Sequence, residues 1–355
     1  MSEKAVHPAP PRFQDHGAAT LPAVTLDSYN AELRTPEGFL GDRASSRAFK
    51  ALLDHWRKRI RDSAEDDPLG SAPTKDIPRK QLDALLADGD SEAAGLVHGV
   101  VEEFAQSLAT VVRALLKLKD WRGVERIVVG GGMRGSRVGE LAIGRTAMIL
   151  KGEEIDLDLV PIRHDPDEAG MIGVVQLAPP WIFKGHDALL AVDIGGSNIR
   201  AWLVRPHLKK ASDLSAACIW ESEIWQHRAD KPAREEAIDR LCGMLGDLVH
   251  KAEKRGLQLA PFIGVGCPGH IEADGSIAKG AQNLPGNWES SRFNLPERLR
   301  AALPEIGGQE TVVVVHNDAV VQGLSQVPWM GDVKRWGVLT IGTGLGNACF
   351  TNRDR

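Results

Sequence analysis

The sequence has no surplus of positive charge and no block of basic residues: 43 Lys and Arg stand against 48 Asp and Glu, a formal net charge of −5. Binding along a nucleic-acid backbone demands a concentrated positive surface, so no nucleic-acid partner is expected. Nor is there an unbroken apolar run of the eighteen or so residues that a membrane span requires, and residues 1–11 lack the apolar stretch of a secretory signal. A soluble, cytoplasmic protein without a membrane partner is expected. Cysteine is scarce as well. Cys218, Cys242, Cys267 and Cys349 lie at least 24 residues apart with no Cys-x-x-Cys pair, which argues against a structural zinc site or a redox couple and for reduced thiols. Glycine is what the chain has in excess, 37 of 355 residues against an average of about 7 per cent. Most of it gathers in a few loops, and a chain of this length, at about 150 residues per domain, allows two to three domains.

Residues 1–45 are rich in Pro, Gly and isolated polar residues and read as an extended or partly disordered arm. An amphipathic helix at 46–61, a second at 79–87 and a long one at 91–119 follow. The long one carries Leu96, Val100, Phe104, Leu108, Val111, Leu115 and Leu118 at helical spacing. Residues 126–129 then form a short buried strand, Gly130, Gly131 and Gly132 turn the chain, and 137–150 resume helix. A strand at 157–162 and a helix at 168–177 precede a Pro-Pro connector. From Ala188 the pattern becomes strand, glycine turn, strand: Leu189 to Ile194 run into Gly195-Gly196-Ser197, and 199–204 are β-branched or aromatic without helical period. The same device returns where 336–341 run into Gly342-Thr343-Gly344, a weak internal repeat that implies two lobes, each offering a glycine loop. Between the two hairpins the pattern gives a helix at 234–254, strands at 262–266 and 311–315, and helices at 296–302 and 319–326.

A glycine hairpin lets backbone N–H groups converge on one point, which suits phosphate. Asp193, at the strand end before the first hairpin, could hold the accompanying metal directly or through water; a tight turn with an incidental Asp reads equally well. A dinucleotide fingerprint is excluded, because that motif opens a helix and this one opens a strand. Gly131 and Gly132, at the mouth of a helix, could lie against a nucleotide or serve as a plain strand-to-helix turn. Asn317 and Asp318 follow four consecutive valines, just past the end of a buried strand where open α/β sheets bind ligands. Asp318 there can take a proton from a substrate hydroxyl with Asn317 binding the same substrate, or it can cap the next helix. Gly269 and Asn283 lie in rigid turns with polar groups suited to ordering hydroxyls, and equally to ordinary loops.

Taken in order, these segments resemble the ROK group of bacterial sugar kinases in the actin, Hsp70 and hexokinase superfamily. The run is Asp193 to Arg200 (DIGGSNIR), 264–269 (GVGCPG), 283–288 (NLPGNW), Asn317-Asp318-Ala319 and 342–346 (GTGLG). It corresponds to the family's N-terminal half, and what usually follows it stands in front here: 128–132 (VVGGG) is similar to the adenosine motif and 167–173 (DEAGMIG) to the closing helix. The resemblance therefore implies a two-lobed α/β actin-like ATPase (ribonuclease H-like) fold, circularly permuted through a connector at 179–187. It implies a larger lobe of 1–163 plus 311–355, carrying the adenosine side, the second hairpin and an arm at 1–41, and a smaller lobe of 164–310. It further implies an ATP-dependent sugar kinase with Mg²⁺. Asp318 would be the general base, and Asn317, Asn283 and Gly269 would bind the sugar. Gly195, Gly196, Ser197, Gly342, Thr343 and Gly344 would surround the phosphates, with Gly131 and Gly132 near adenosine and Asp193 on the metal. A homodimer is compatible with it.

Two departures stand out. The family's Glu-x-x-His segment and its cysteine and histidine zinc motif are not recognisable; the arm at 1–41 takes their place in the order, with His16 as a weak substitute, and no zinc is expected. The first departure favours a rival, a sugar-sensing regulator of the same fold with weak or no kinase activity, although 1–41 is too Pro-rich and aperiodic for the helix-turn-helix such regulators carry. An actin-like or Hsp70-like ATPase shares both hairpins but has no need of Asn317-Asp318.

Overall fold

The computed structural model describes residues 15–36, 38–63 and 66–353. Among these, ten strands make two five-stranded sheets. In chain order they are β1 (Val24–Tyr29), β2 (Arg126–Gly130), β3 (Asp158–Pro161), β4 (Ala188–Ile194), β5 (Ile199–Arg205), β6 (Cys218–Trp225), β7 (Leu259–Cys267), β8 (Val312–Asn317), β9 (Arg335–Ile341) and β10 (Leu345–Asn352). The helices are α1 (Ser46–Ser63), α2 (Arg79–Asp88), α3 (Ser91–Leu116), α4 (Arg137–Gly152), α5 (Pro166–Gly173), α6 (His227–Asp230), α7 (Arg234–Lys254), α8 (Leu295–Ala302) and α9 (Asp318–Leu324). No helix among the described residues is long and apolar enough to cross a membrane.

The sheets run β8-β7-β4-β5-β6 and β1-β10-β9-β2-β3. They are built alike. A central strand (β4 or β9) turns through a glycine loop into an antiparallel neighbour (β5 or β10), and a further antiparallel strand (β6 or β1) forms the edge. Two parallel strands (β7 and β8, or β2 and β3) complete the other side. The chain visits the first sheet in that order without interruption. In the second it makes the hairpin β9 and β10 at its C-terminal end, whereas β1, β2 and β3 come from its N-terminal end. Two copies of one strand order, the second cut between its second and third strands, are the circularly permuted form of the two-lobed actin-like, ribonuclease H-like fold.

Periodicity of two explains the sheets. In β4, Leu189 and Ala191 face a central core while Ala188, Leu190, Val192 and Ile194 face an outer one. In β9, Trp336 and Val338 share that central core and Leu339 and Ile341 face the opposite outer layer. Both faces of both sheets are covered, which is why the strands read as continuous apolar runs. The central layer is α5 against α9, with Met171, Val320, Val321 and Leu324 buried between the sheets. Helices α1 to α4 cover the outside of the second sheet, and α7 and α8 that of the first.

Two expectations need correction, and one strand was not anticipated. Residues 15–36 are not a loose arm: β1 supplies the third strand of the second sheet, paired to β10 from Val24 opposite Asn352 to Tyr29 opposite Ala348. Residues 1–14 lie outside the described residues. The expected boundary at 311 falls in the wrong place as well, since β8 pairs in parallel with β7 and so belongs to the first sheet, and the crossing between lobes follows in α9. Finally, β6, which does not stand out in the sequence, forms the edge beyond β5.

Candidate active site

Three parallel strands of the first sheet end side by side. Asp193 on β4 is in register with Gly266 on β7, and Gly266 with His316 on β8. A side chain starting from Gly266 would lie 3.8 Å from Asp193 Oδ1 and 3.8 Å from the Asp318 Cα, so the two carboxylates flank this strand end. They share a cleft of about 1900 Å³ between the lobes, whose lining also includes Gly195, Gly196, Ser197, Gly269, Asn283, Gly131, Gly132, Gly342, Thr343 and Gly344. Every residue expected at the site lines this cleft except Asn317.

Asn317 is fully buried, and its side chain is spent on its surroundings. Its Oδ1 accepts from the N–H groups of Ala319 (3.0 Å) and Val320 (3.4 Å), which makes it the N-cap of α9, and its Nδ2 donates to Gly269 O at 3.0 Å. Asn317 thus caps the helix and fixes the Gly269 turn, and it does not line the cleft. Gly269 has φ +101, and a Cβ there would lie 2.5 Å from Lys279 O, so the turn needs glycine. With the cap supplied by Asn317, Asp318 stands at the first helical position, half-buried at the cleft floor, its Oδ1 accepting from Ala319 N–H (2.9 Å). Burial, reinforced by the negative Asp193, pushes the Asp318 carboxyl up to about 6.

Asp193 is directly opposite Arg200 in the β4–β5 hairpin, and Arg200 Nη1 donates to Asp193 Oδ2 at 2.9 Å. Arg200 Nη2 continues to Asp167 Oδ1 on α5, also at 2.9 Å. Burial still holds the Asp193 carboxyl above its ordinary value, with Arg200 opposing the shift. Oδ1 stays outside the ion pair. Among the described residues no group of three or more His, Cys, Asp or Glu could hold a metal ion. One open carboxylate oxygen suits Mg²⁺ that arrives on a nucleotide, since that ion keeps waters and is held largely by substrate phosphates.

The hairpins differ in what holds them. Gly195 N–H donates to Asn198 O (2.9 Å), and Gly195 O lies 2.8 Å from His227 Nε2 on α6. Gly342 N–H donates to Gly344 O (2.9 Å), and Gly342 O accepts from Ser46 N–H (2.9 Å) at the start of α1. The turn after β2 leans on the second hairpin. Gly131 has φ +83, and a Cβ there would lie 2.5 Å from Ile341 N. Gly131 and Gly132 thus face the cleft from the same sheet as Gly342 to Gly344.

Sequence reasoning passed over several lining residues. Tyr29 and Asn30, at the end of β1, close the end beside Gly269. The Tyr29 ring stacks on His270 with centroids 5.2 Å apart, its hydroxyl oxygen accepts from Ile271 N–H (3.2 Å), and Asn30 Nδ2 donates to Gly269 O (3.4 Å). Asn347 on β10 grips the next residue on both sides, accepting from Ala31 N–H (2.9 Å) and donating to Ala31 O (3.2 Å). Nothing in this Pro-rich stretch marked them. Arg200 was readable: a four-residue loop between Asp193-Ile194 and Ile199-Arg200 puts the two charges across from each other. His16 lies away from the cleft lining, its Nδ1 accepting from Val315 N–H at 3.1 Å along the edge of β8.

No protein-family model matches the chain, and no curated protein does. Solved structures similar to it include a candidate sugar kinase from Cytophaga hutchinsonii (20% identity, TM-score 0.35, 46% of this chain and 48% of that one). A candidate N-acetylmannosamine kinase from Listeria monocytogenes is similar at 26% identity and TM-score 0.32, over 46% of this chain and 47% of that one. The PPX-GPPA enzyme of Aquifex aeolicus is similar at 13% identity and TM-score 0.28, over 70% of this chain and 87% of that one. The chain thus spans about half the length of the first two, and its fold rests on the strand order described above.

Proposed function

We propose that this chain is an ATP-dependent sugar kinase of the ROK type, moving the γ-phosphoryl group to a hydroxyl of a hexose or amino sugar. The observation that carries the reading is one cleft containing two glycine hairpins, one from each sheet, together with a half-buried carboxylate whose pKa is about 6. Phosphoryl transfer asks for positioning and charge neutralisation more than for covalent chemistry. Asp318, ionised at neutral pH yet basic for a carboxylate, takes the hydroxyl proton. Asn283 and the Gly269 turn order the sugar, with Tyr29 and Asn30 at the same end. Gly195 to Ser197 and Gly342 to Gly344 surround the phosphates, with the N–H groups of Gly196, Ser197, Thr343 and Gly344 left for them because those of Gly195 and Gly342 close their own loops, and Gly131 and Gly132 face adenosine. Mg²⁺ bound with the nucleotide would neutralise phosphate charge, and Asp193 is the residue placed to hold it.

The pairing of Asp193 with Arg200 favours a second reading, a sugar-binding sensor of the same fold that has given up efficient transfer. Coupled assays over hexoses and amino sugars with ATP and Mg²⁺ separate the two. A kinase turns over at least one of them, whereas a sensor binds sugar without consuming ATP.

A further inference from the structure

Each of the three glycine loops at the cleft carries an arginine from an element outside it. Arg228 on α6 meets the first hairpin: its N–H donates to Ser197 O (3.3 Å) and its Nη1 to Ser197 Oγ (3.5 Å). Arg47 on α1 meets the second, Nη2 donating to Thr343 O at 3.5 Å. Arg79 at the start of α2 donates from Nη1 to Gly132 O. All three line the cleft, and none forms an ion pair with a carboxylate among the described residues. This contrasts with Arg57, Arg126, Arg200 and Arg335, which are bound to aspartates.

A guanidinium that spends one N–H on a carbonyl keeps further N–H groups in the same plane, in the fork that matches phosphate oxygens. Two such forks at the hairpin tips, on opposite sides of one cleft, add positive charge where the loops themselves offer only neutral backbone dipoles. We propose that Arg228 and Arg47 clamp the polyphosphate chain of a nucleoside triphosphate from the two lobes, and that Arg79 covers the nucleoside end. The inference rests on reading the cleft as a nucleotide site, but not on transfer to a sugar. A clamp divided between lobes also ties closure to the ligand: only a chain of phosphates long enough to reach both hairpins engages both arginines.

Charge number separates this clamp from a purely structural role. Calorimetric titration of the full chain with ATP, ADP, AMP and inorganic tripolyphosphate should show Arg228→Met and Arg47→Met each weakening ATP and tripolyphosphate about tenfold or more, the scale of a charge-assisted contact. AMP should bind both variants as it binds the unaltered protein, and Arg228→Lys should recover part of the loss. Arg79→Met should weaken all three nucleotides by a common factor and leave tripolyphosphate unchanged. Thermal midpoints without ligand, expected to be unaltered for the exposed Arg47 and Arg228 and measured for the half-buried Arg79 as well, keep the comparison among folded proteins. Equal weakening of AMP and ATP by Arg228→Met or Arg47→Met, unchanged ATP affinity, or failure of the unaltered protein to bind ATP and tripolyphosphate would each overturn the clamp. Arginine-dependent ATP binding without sugar phosphorylation would sink the kinase reading and leave the clamp standing. Sugar phosphorylation with affinities indifferent to Arg228 and Arg47 would do the opposite.

Discussion

Asn317 and Asp318 are adjacent residues of similar shape, and the structure gives them different work. From position alone either could cap α9, but Asn317 takes the cap and the Gly269 carbonyl together, which leaves Asp318 facing the cleft. The raised Asp318 pKa has a consequence for stability. The folded state binds the proton more tightly than the unfolded chain, so the contribution is fully present below about 4 and is lost as pH rises to about 6. Asn at this position does not ionise. Asp318→Asn should therefore be more stable than the unaltered protein at pH 8, by about 1–3 kcal/mol, and no more stable at pH 4; denaturant melts at both pH values measure this, and equal midpoints at pH 8 would show that the carboxylate is not disfavoured. Turnover should in turn rise with pH through about 6 as the base ionises. Asn317→Ala should cost about 1–2 kcal/mol for the lost cap, and more if the Gly269 carbonyl is left without its donor. A sugar KM that rises in this variant while ATP affinity holds would mark Asn317 as a positioning residue, whereas an unchanged KM would confine it to the cap.

At the scale of elements, the central strands and glycine turns were legible because burial on both faces leaves runs such as Leu189 to Val192 and Val312 to Val315 unbroken by polar residues. The third strand of each sheet was not. β6 (Cys218–Trp225) and β1 (Val24–Tyr29) lie at sheet edges, where most positions are only partly buried and apolar residues are interspersed with Glu, Asp and Ser. β1 is held by contacts remote in sequence, such as Asp27 Oδ2 accepting from Thr351 Oγ1 (2.7 Å) and Arg335 Nη2 (3.0 Å), which no local pattern announces. The same applies to the helical cover. Arg57 in α1 is fully buried, bound to Asp67 (2.9 Å), Thr74 Oγ1 (2.9 Å) and Gly70 O (2.7 Å), and so fastens the connector after α1 onto the helix. Arg57→Met leaves Asp67 buried without its main partner and should cost about 3–5 kcal/mol; a loss below 1 kcal/mol in chemical denaturation would show that the connector is held by other contacts.

For the whole molecule, the order of motifs revealed the permutation, but the position of residues 15–30 emerged only in three dimensions. That segment belongs to one sheet through β1 and touches the other where Gly17 N–H donates to Val315 O (3.0 Å), so it links both lobes at the end of the cleft that Tyr29 and Asn30 line. Because Val24 sits opposite Asn352, the first and last strands of the described residues pair at one sheet edge. A chain reopened in the 179–187 connector and joined from residue 353 to residue 15 by a short flexible linker should melt cooperatively and retain turnover within about tenfold, as expected when a permutation leaves the core intact. The central claim, that this cleft transfers phosphoryl groups to a sugar with Asp318 as base, meets its most direct test in single-substrate turnover. ATP-dependent phosphorylation is measured across hexoses and amino sugars for the unaltered protein and for Asp318→Asn, with nucleotide affinity determined on both. The account predicts transfer to at least one sugar and a fall of about 10² to 10⁴ in the variant, with nucleotide affinity held. Absence of transfer to every sugar, or near-normal turnover in the variant, would contradict it.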